Sequence, residues 1–284
     1  MLNQEQLIDK TLAIVVLYEI DIKDATSIKC LNDAINFEKS NLDILIYDNS
    51  RTSMKIDNSL FPNLNIKYKH DSRNMGLGIA YNFGAKLAQS MNKKWILLLD
   101  QDTLFENEIF DKYLLAIYNY PSVSLFAPIL KLKNGKNFSP CFYFFKRGFM
   151  TSNISTGLNS LHKYSPVNSG MLIRIESFLK CGGYNENIKL DFNDFQFIER
   201  FRKFENQFVV TSSVGIQDFS NDTNDISKLN IRYAIYCDSA KNCEKISIVD
   251  KFKYFIVVLQ RSITLSLRTK SLIYFRTFYT SYLK

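Results

Sequence analysis

The stretch WILLLDQDT, from Trp95 to Thr103, decides the fold. Its apolar first half is typical of a strand that is buried on both faces of a sheet. The strand runs directly into Asp100 and Asp102, and side chains two residues apart in a strand point the same way. Two neighbouring carboxylates repel each other unless a cation or strong hydrogen-bond donors offset their charge. Such a pair suits a hard divalent cation that also takes phosphate oxygens, although two solvated loop acids give the same pattern.

Strands and helices alternate on both sides of this stretch. The predicted elements are a strand at Leu12–Tyr18, a helix at Asp24–Lys39, strands ending at Asp48 and Lys69, a helix at Gly78–Met91 and the strand ending at Asp100. The alternation predicts an α/β fold with a mostly parallel sheet covered by helices on both sides. Ligands bind beyond the carboxyl ends of such strands, which is where Tyr18, Asp48 and Asp100 stand.

The pattern changes beyond residue 120, where strand-like segments follow one another with fewer helices between them. These segments are SVSLFAPIL, CFYFF and VNSGMLIRI. The charge balance then shifts near Asp225, where an aromatic-rich tail begins. We predict one α/β domain over residues 1–225 and a helical tail over residues 226–284.

The composition is that of a folded globular protein, with 46% hydrophobic and 23% charged residues among 284. The five cysteines are scattered without metal-binding spacing. This pattern argues against a zinc site or a disulfide framework and favours a reducing cytosol. We also expect no signal peptide and no transmembrane helix, because neither apolar signal occurs in the sequence.

The net charge of +8 lies entirely in the tail. Residues 1–226 contain 25 Lys and Arg and 25 Asp and Glu, a difference of zero, whereas residues 227–284 contain 11 and 3, which gives +8. Aromatic residues lie among these cations: Phe252, Tyr254, Phe255, Tyr274, Phe275, Phe278 and Tyr279. The mixture suits the headgroup layer of an anionic membrane. Packing on the main domain and a homodimer contact are the alternatives, and no nucleic-acid motif accompanies the charge.

A second group of residues surrounds the start of the helix predicted at Gly78–Met91. Asn74 and Gly76 precede the helix, and Asn82 and Gly84 lie inside it. A glycine at a helix start lets a phosphate or sugar approach free N–H groups, although capping and close packing are the alternative. There is no Walker A loop and no GxGxxG after a strand, so neither an NTPase nor a dinucleotide-binding protein is indicated.

A third group lies in the second half of the chain. Asn168, Ser169 and Gly170 open a strand, and Asp194 begins a segment with helical character. An acid near a helix N-terminus is stabilising in itself, so a capping role for Asp194 stays open at this point.

In this order and spacing, the three groups resemble the inverting nucleotide-sugar glycosyltransferases of family 2, and within it the rhamnosyltransferase-like branch. The matching segments are VVLY ending at Tyr18, Asp48-Asn49-Ser50, the NxGxxxAxNxG pattern of Asn74, Gly76, Ala80, Asn82 and Gly84, LDQDT around Asp102, and NSG with GGYNE from Asn168 to Glu186. Gln101 between the two acids is what the rhamnosyl branch often shows. The resemblance covers about residues 12–220.

The resemblance implies a GT-A fold and a metal-dependent transfer of sugar from a nucleotide diphosphate donor. It implies that Asp48 reads the base and that Tyr18 lines the same pocket. Asp100 would contact the ribose or donor sugar, and Asp102 would hold Mn²⁺ or Mg²⁺ on the diphosphate. Asp194 would be the general base. The remaining residues assigned to the donor site are Asn74, Gly76, Asn82, Asn168, Ser169 and Gly170.

The expected reaction is transfer of L-rhamnose from dTDP-L-rhamnose to a hydroxyl of a lipid-linked capsule or lipopolysaccharide glycan. The expected location is the cytoplasm, at the inner face of the plasma membrane. UDP-galactofuranose and UDP-hexoses are alternative donors. The sequence departs from the family pattern at two places. Gln217 or Asp218 stands where a metal-site His is frequent, and Asn193 stands where a second acid is common. These departures favour a different alternative. In that alternative the protein binds a nucleotide sugar and is catalytically impaired.

Overall fold

A computed structural model describes residues 3–38, 40–152, 154–217 and 225–284. The strands in these ranges are β1 (Thr11–Leu17), β2 (Leu42–Asp48), β3 (Leu64–His70), β4 (Trp95–Asp100), β5 (Leu104–Phe105), β6 (Leu125–Lys131), β7 (Asn137–Ser139), β8 (Cys141–Phe144), β9 (Arg147–Phe149), β10 (Gly157–Ser160), β11 (Tyr164–Ser165), β12 (Met171–Arg174) and β13 (Gln207–Ile216). The α-helices are α1 (Gln4–Asp9), α2 (Thr26–Phe37), α3 (Leu77–Ser90), α4 (Ile109–Asn119), α5 (Ile175–Lys180), α6 (Asn193–Phe201), α7 (Ile226–Asn242), α8 (Ile248–Thr269) and α9 (Ile273–Phe278). Short 3₁₀ turns occupy Ile22–Asp24 and Asn58–Leu60, and a π-helical turn occupies Tyr279–Leu283.

One large sheet organises the main domain, with its strands in the order β10, β13, β6, β12, β4, β1, β2, β3. Strands β3, β2, β1 and β4 are parallel, β12 is antiparallel to β4 and to β6, and β13 is parallel to β6. Strands β8, β9 and β11 form a separate small sheet. The predicted α/β fold with a mostly parallel central sheet is confirmed.

The strand directions bring distant parts of the sequence to one edge of the sheet. Because β12 runs against β4, the residues before β12 lie where β4 ends. Because β6 and β13 run in the same direction as β4, the residue after β13 also lies at that edge. The ends of β1, β2, β4 and β13 and the start of β12 therefore share one edge.

The central strand β1 is buried on both faces, as its unbroken apolar run predicts. Ala13, Val15 and Leu17 pack in a core that includes α2 and α4. Leu12 and Ile14 pack on the other face, in a core that includes α3 and α5. Because β1 packs against a hydrophobic core on each face, the sheet edge at its end is held rigidly.

Helices α7, α8 and α9 form a third core with Ile188 and Phe192 of the main domain. Three aromatic residues expected at a membrane interface, Tyr254, Tyr274 and Phe278, are instead buried in this core, because each packs against other rings of the cluster. No helix in the described ranges combines the length and apolar character needed to cross a bilayer. The domain boundary near Asp225 stays a prediction.

Candidate active site

Asp100 and Asp102 lie at the shared edge, and Gln217 from the end of β13 lies between them. The Gln217 amide nitrogen donates to Asp102 Oδ1 at 2.8 Å and to Asp100 Oδ2 at 3.3 Å. These donors offset part of the repulsion between the two acids. Gln217 thus lies beside both acids, and its role as the late metal-site residue stays a prediction. Asp218 lies outside the described residues.

The surroundings of Asp100 perturb its carboxyl group. Burial raises its pKa to about 6, and the charge of Asp102 adds to the rise, while hydrogen bonds from Gln217 and Tyr81 act in the opposite direction. The Tyr81 hydroxyl lies 3.4 Å from Asp100 Oδ1. A cation close to Asp100 would therefore relieve an unfavourable charge.

The acid pair fits a small divalent cation. The described residues contain no cluster of three His, Cys, Asp or Glu side chains that could hold a metal. Mg²⁺ commonly takes only one or two carboxylates and completes its shell with water and substrate phosphates, so Asp100 and Asp102 supply enough protein ligands. The side-chain amide of Gln217 can present its oxygen instead of its nitrogen after a simple rotation.

Asp194 lies in the first turn of α6 and faces the same cleft as Asp100. This cleft has a volume of about 370 Å³, and Asn168 and Gln217 also line it. The Phe195 N–H donates to Asp194 Oδ1 at 2.9 Å. Burial raises the pKa of Asp194 to about 7, and Asp100 and Asp191 contribute to the rise. A carboxyl group with a pKa near the working pH is suited to proton transfer.

Asp48 is fully buried at the end of β2. Its Oδ1 accepts from the Ser50 N–H at 2.9 Å, and its Oδ2 accepts from the Tyr68 hydroxyl at 2.6 Å. Oδ1 thus holds the start of the loop after β2, and Oδ2 joins the end of β2 to β3. Recognition of the nucleotide base by Asp48 remains a prediction.

Tyr18 follows β1 and is 46% exposed at the shared edge. Its backbone N–H donates to Gln101 Oε1 at 2.9 Å. Gln101 therefore joins the loop after β4 to the end of β1. This contact gives the residue between the two acids a structural role that does not depend on the donor sugar.

Gly76 and Asn82 contact protein rather than the cleft. Gly76 has φ +102°, and a Cβ at this position would lie 2.2 Å from the carbonyl oxygen of Lys189. The Asn82 amide donates to the Tyr184 carbonyl at 3.0 Å and to Glu186 Oε1 at 2.9 Å, and its oxygen accepts from the Tyr184 N–H. Both residues hold the segment that leads into α6, as the close-packing alternative expects.

Asn74 also has a positive φ, of 48°, and its N–H donates to the Asp71 carbonyl at 3.1 Å. It shapes the turn before α3. A direct contact of Asn74 with the donor stays a prediction.

Asn168, Ser169 and Gly170 have different surroundings. Asn168 lines the cleft and accepts from the Tyr184 hydroxyl at 2.6 Å. Ser169 is fully buried, and its hydroxyl accepts from the Asp100 N–H at 3.2 Å, so it braces the end of β4. Gly170 packs against Pro128, where a Cβ would lie 2.4 Å from the ring. Only the first residue of this motif reaches the cleft.

Residues 25–175 match the model of glycosyl transferase family 2. The chain belongs to this family. No curated protein matches its sequence.

Solved structures of S. aureus TarS share the fold of this glycosyltransferase. The structure of TarS residues 1–349 has a TM-score of 0.52 at 14% identity, over 96% of this chain and 88% of that one. The same protein in complex with UDP-GlcNAc has a TM-score of 0.55 at 15% identity, over 95% and 79%. At this level of identity the likeness shows the fold alone, which is the GT-A type.

One cleft residue of this glycosyltransferase was not predicted from the sequence. Arg232, in the first half of α7, lines the cleft together with Asp194. Its guanidinium forms a two-pronged ion pair with Asp191, in which Nη2 lies 2.9 Å from Oδ1. The tail therefore completes the wall of the active-site cleft. The only sequence signal for this was the concentration of cations in the tail.

Proposed function

We propose that this protein is an inverting, metal-dependent glycosyltransferase that moves a sugar from a nucleotide diphosphate to a hydroxyl group. One observation carries the proposal: Asp194, with a pKa raised to about 7, lines the same cleft as Asp100 and Gln217. A proton acceptor and Asp100 of the acid pair thus face one cavity. This arrangement supports catalysis over the alternative of a binding module without activity.

In the proposed reaction, the acceptor hydroxyl lies against Asp194. The carboxylate takes the hydroxyl proton as the acceptor oxygen attacks the anomeric carbon, on the face opposite the nucleotide. The bond to the diphosphate breaks, the nucleoside diphosphate leaves, and the configuration at the anomeric carbon inverts. Asp100 and Asp102 would hold Mn²⁺ or Mg²⁺, which neutralises negative charge on the leaving diphosphate when bound.

The donor is proposed to be a pyrimidine nucleotide sugar. The reason to favour dTDP-L-rhamnose was Gln101, and its hydrogen bond to Tyr18 supplies a structural reason for a glutamine at this position. The complexes of TarS with UDP and with UDP-GlcNAc make UDP-sugars the strongest alternative. Both classes therefore belong in the first test.

The test is a donor panel in the presence of Mn²⁺, with dTDP-L-rhamnose, UDP-galactofuranose and UDP-GlcNAc. A true donor at about 100 times its Kd should add about 2.7 kcal/mol to the free energy of unfolding, which appears as a rise in Tm. Sugar release or transfer is then measured with the stabilising donor. If no donor stabilises the protein, the proposal is wrong. Stabilisation without any turnover would favour the binding module.

We also propose that the tail attaches the enzyme to an anionic membrane, near lipid-linked capsule or lipopolysaccharide acceptors. Helix α8 exposes Ile248, Phe252, Ile263 and Leu267 at 83%, 58%, 42% and 75%. At 3.6 residues per turn these positions lie within about 100° of the helix circumference. Lys251 is exposed and lies about 60° outside this arc, beside Ile248. An apolar stripe beside cations is typical of a helix that lies in the membrane interface.

A further inference from the structure

A second cavity, of about 450 Å³, adjoins the active-site cleft. We call it the basic groove. The two cavities share Gly148, Asp191, Phe192, Phe195 and Arg232 as wall residues, so one opens beside the other. The basic side chains that line the groove are Lys146, Arg147, Lys228, Arg232, Arg261 and Arg268. Asp191 is the one acidic residue in that lining.

Two of these cations have acidic partners within the protein. Lys146 is buried and lies 2.7 Å from Glu199 Oε1 and 3.2 Å from Asp250 Oδ1. Arg232 is paired with Asp191. Within each pair the acidic charge offsets the basic charge, and the ion pair stabilises the wall of the groove.

Three further cations of the groove, Arg147, Lys228 and Arg261, are not neutralised in this way by any acid among the described residues. Arg147 donates to the neutral Gln260 Oε1 at 2.8 Å. Lys228 and Arg261 are exposed and form no ion pair with an acidic side chain in the described part of the chain. Arg147 and Arg261 both oppose the rise in the pKa of Tyr236 that burial and Asp191 cause, so both lie within electrostatic range of that hydroxyl. The groove therefore collects positive charge that a bound anion would offset.

The basic groove joins the cleft at residues next to Asp194 and not at the acid pair. Asp191 and Phe195 flank Asp194 in sequence and line the groove, whereas Asp100 and Gln217 line only the cleft. In the proposed reaction, the donor diphosphate belongs with Asp100 and Asp102. An anion in the groove would therefore lie near Asp194 rather than at the acid pair, which fits the acceptor, whose hydroxyl must reach Asp194.

We propose that the basic groove binds a phosphate group of the acceptor, so that this enzyme glycosylates a phosphate ester or diphosphate. The proposal rests on the proposed glycosyltransferase function. Guanidinium groups match phosphate oxygens with paired, charge-assisted hydrogen bonds, and lysine adds a point charge. The phosphate comes either from a lipid diphosphate or from a phosphodiester chain. In both cases it anchors the acceptor while the hydroxyl reaches Asp194.

The first experiment measures binding of inorganic pyrophosphate by calorimetry, with EDTA present so that no metal assists binding at the acid pair. The Lys228→Gln/Arg261→Gln variant should bind at least about tenfold more weakly than the wild type, since two charge-assisted contacts are lost. The matched control is Lys241→Gln/Arg276→Gln, which removes the same charge from exposed tail positions outside the groove. It should bind like the wild type. Equal weakening in both variants, or no binding by the wild type, would overturn the proposal.

The second experiment identifies the source of the phosphate by displacement of pyrophosphate. Displacement by farnesyl diphosphate supports a lipid diphosphate, and displacement by a synthetic glycerol phosphate oligomer supports a phosphodiester chain. Displacement by neither overturns the proposal. Pyrophosphate binding needs no sugar transfer, so a failed donor panel leaves this result intact. Conversely, if the protein transfers sugar but does not bind pyrophosphate, the proposal for the basic groove is wrong and the proposed glycosyltransferase function stands.

Discussion

The sheet edge and the tail form the two sides of one cleft, and they differ in how they are built. The sheet edge belongs to residues 1–226, whose formal charge sums to zero, whereas residues 227–284 carry +8. Hydrogen-bonded strand register holds Asp100 and Gln217 in place on the sheet. Packed aromatic rings around Ile188 and Phe192 hold Arg232 of the tail. The side that would hold the donor is thus marked by recognisable sequence motifs. The side that would hold the acceptor is marked instead by its positive charge and its packed aromatic rings.

This difference matters for specificity. A sheet edge can keep the same donor chemistry while a helical tail presents different side chains to the acceptor. The two regions meet near Asp191 and Asp194, where the segment just before α6 contacts α7 through the ion pair of Asp191 with Arg232. Changes at this meeting point test whether the two sides act together.

The largest expected effect is on the general base. Asp194→Asn keeps the size of the side chain and removes its ability to accept a proton. Turnover should fall by about 10²–10⁴, or roughly 3–5 kcal/mol in the activation free energy, while donor affinity changes little. Asp33→Asn, on an exposed position of α2, is the matched control. Near-normal transfer by Asp194→Asn would show that another group takes the proton.

The second prediction concerns the contact between α3 and the segment that leads to the tail. Gly76→Ala places a methyl group against the Lys189 carbonyl, beside Ile188 of the tail core. It should lower the free energy of unfolding by about 2–6 kcal/mol, from backbone strain and from overlap. Gly135→Ala has a similar φ of +83° and nothing within 4 Å of its Cβ, so it should lose only the strain, about 1–3 kcal/mol. Urea unfolding measures both, and equal losses would contradict the close-packing role of Gly76.

Much of the sheet could be predicted because strands β1, β2 and β4 are apolar runs that end at polar residues. Strand β13 was missed. Its sequence, QFVVTSSVGI, has polar residues in the middle, and its register against β6 shifts between Val210 and Val214. An irregular strand of this kind has neither an unbroken apolar run nor a regular alternation.

Asp100 and Asp102 could be predicted from their place after a buried strand, and Asp194 from the family resemblance. Arg232 could not, because its position depends on tertiary packing of α7 that leaves no short motif. Gly76 and Asn82 show the opposite case. They belong to a recognisable motif, yet their contacts are with the protein backbone and with Glu186.

The third prediction tests the outer face of the tail. Removal of the tail would open the core around Ile188 and Phe192, so point variants are the better test. Phe252→Ser/Leu267→Ser should reduce binding to phosphatidylglycerol vesicles about tenfold or more, because two exposed apolar side chains lose their place in the interface. Phe37→Ser/Leu115→Ser is the control, since these side chains are 59% and 57% exposed on α2 and α4.

Co-sedimentation at low and high salt measures this effect. Binding by the wild type should weaken in high salt, because exposed charges are then screened. If both double variants sediment as the wild type does, the stripe on α8 is not a membrane contact.

The smallest expected effect is on the pH dependence of the reaction. A general base works when it is ionised, so kcat/KM should rise with pH through a pKa of about 7, the value to which burial raises the pKa of Asp194. Arg232→Gln leaves the charge of Asp191 uncompensated beside Asp194, which disfavours the second negative charge. The ascending limb should therefore move to higher pH, by up to about one unit. Arg276→Gln, on the exposed side of α9, should keep the wild-type limb. A limb that stays in place or moves to lower pH in Arg232→Gln would show that the tail does not influence the base.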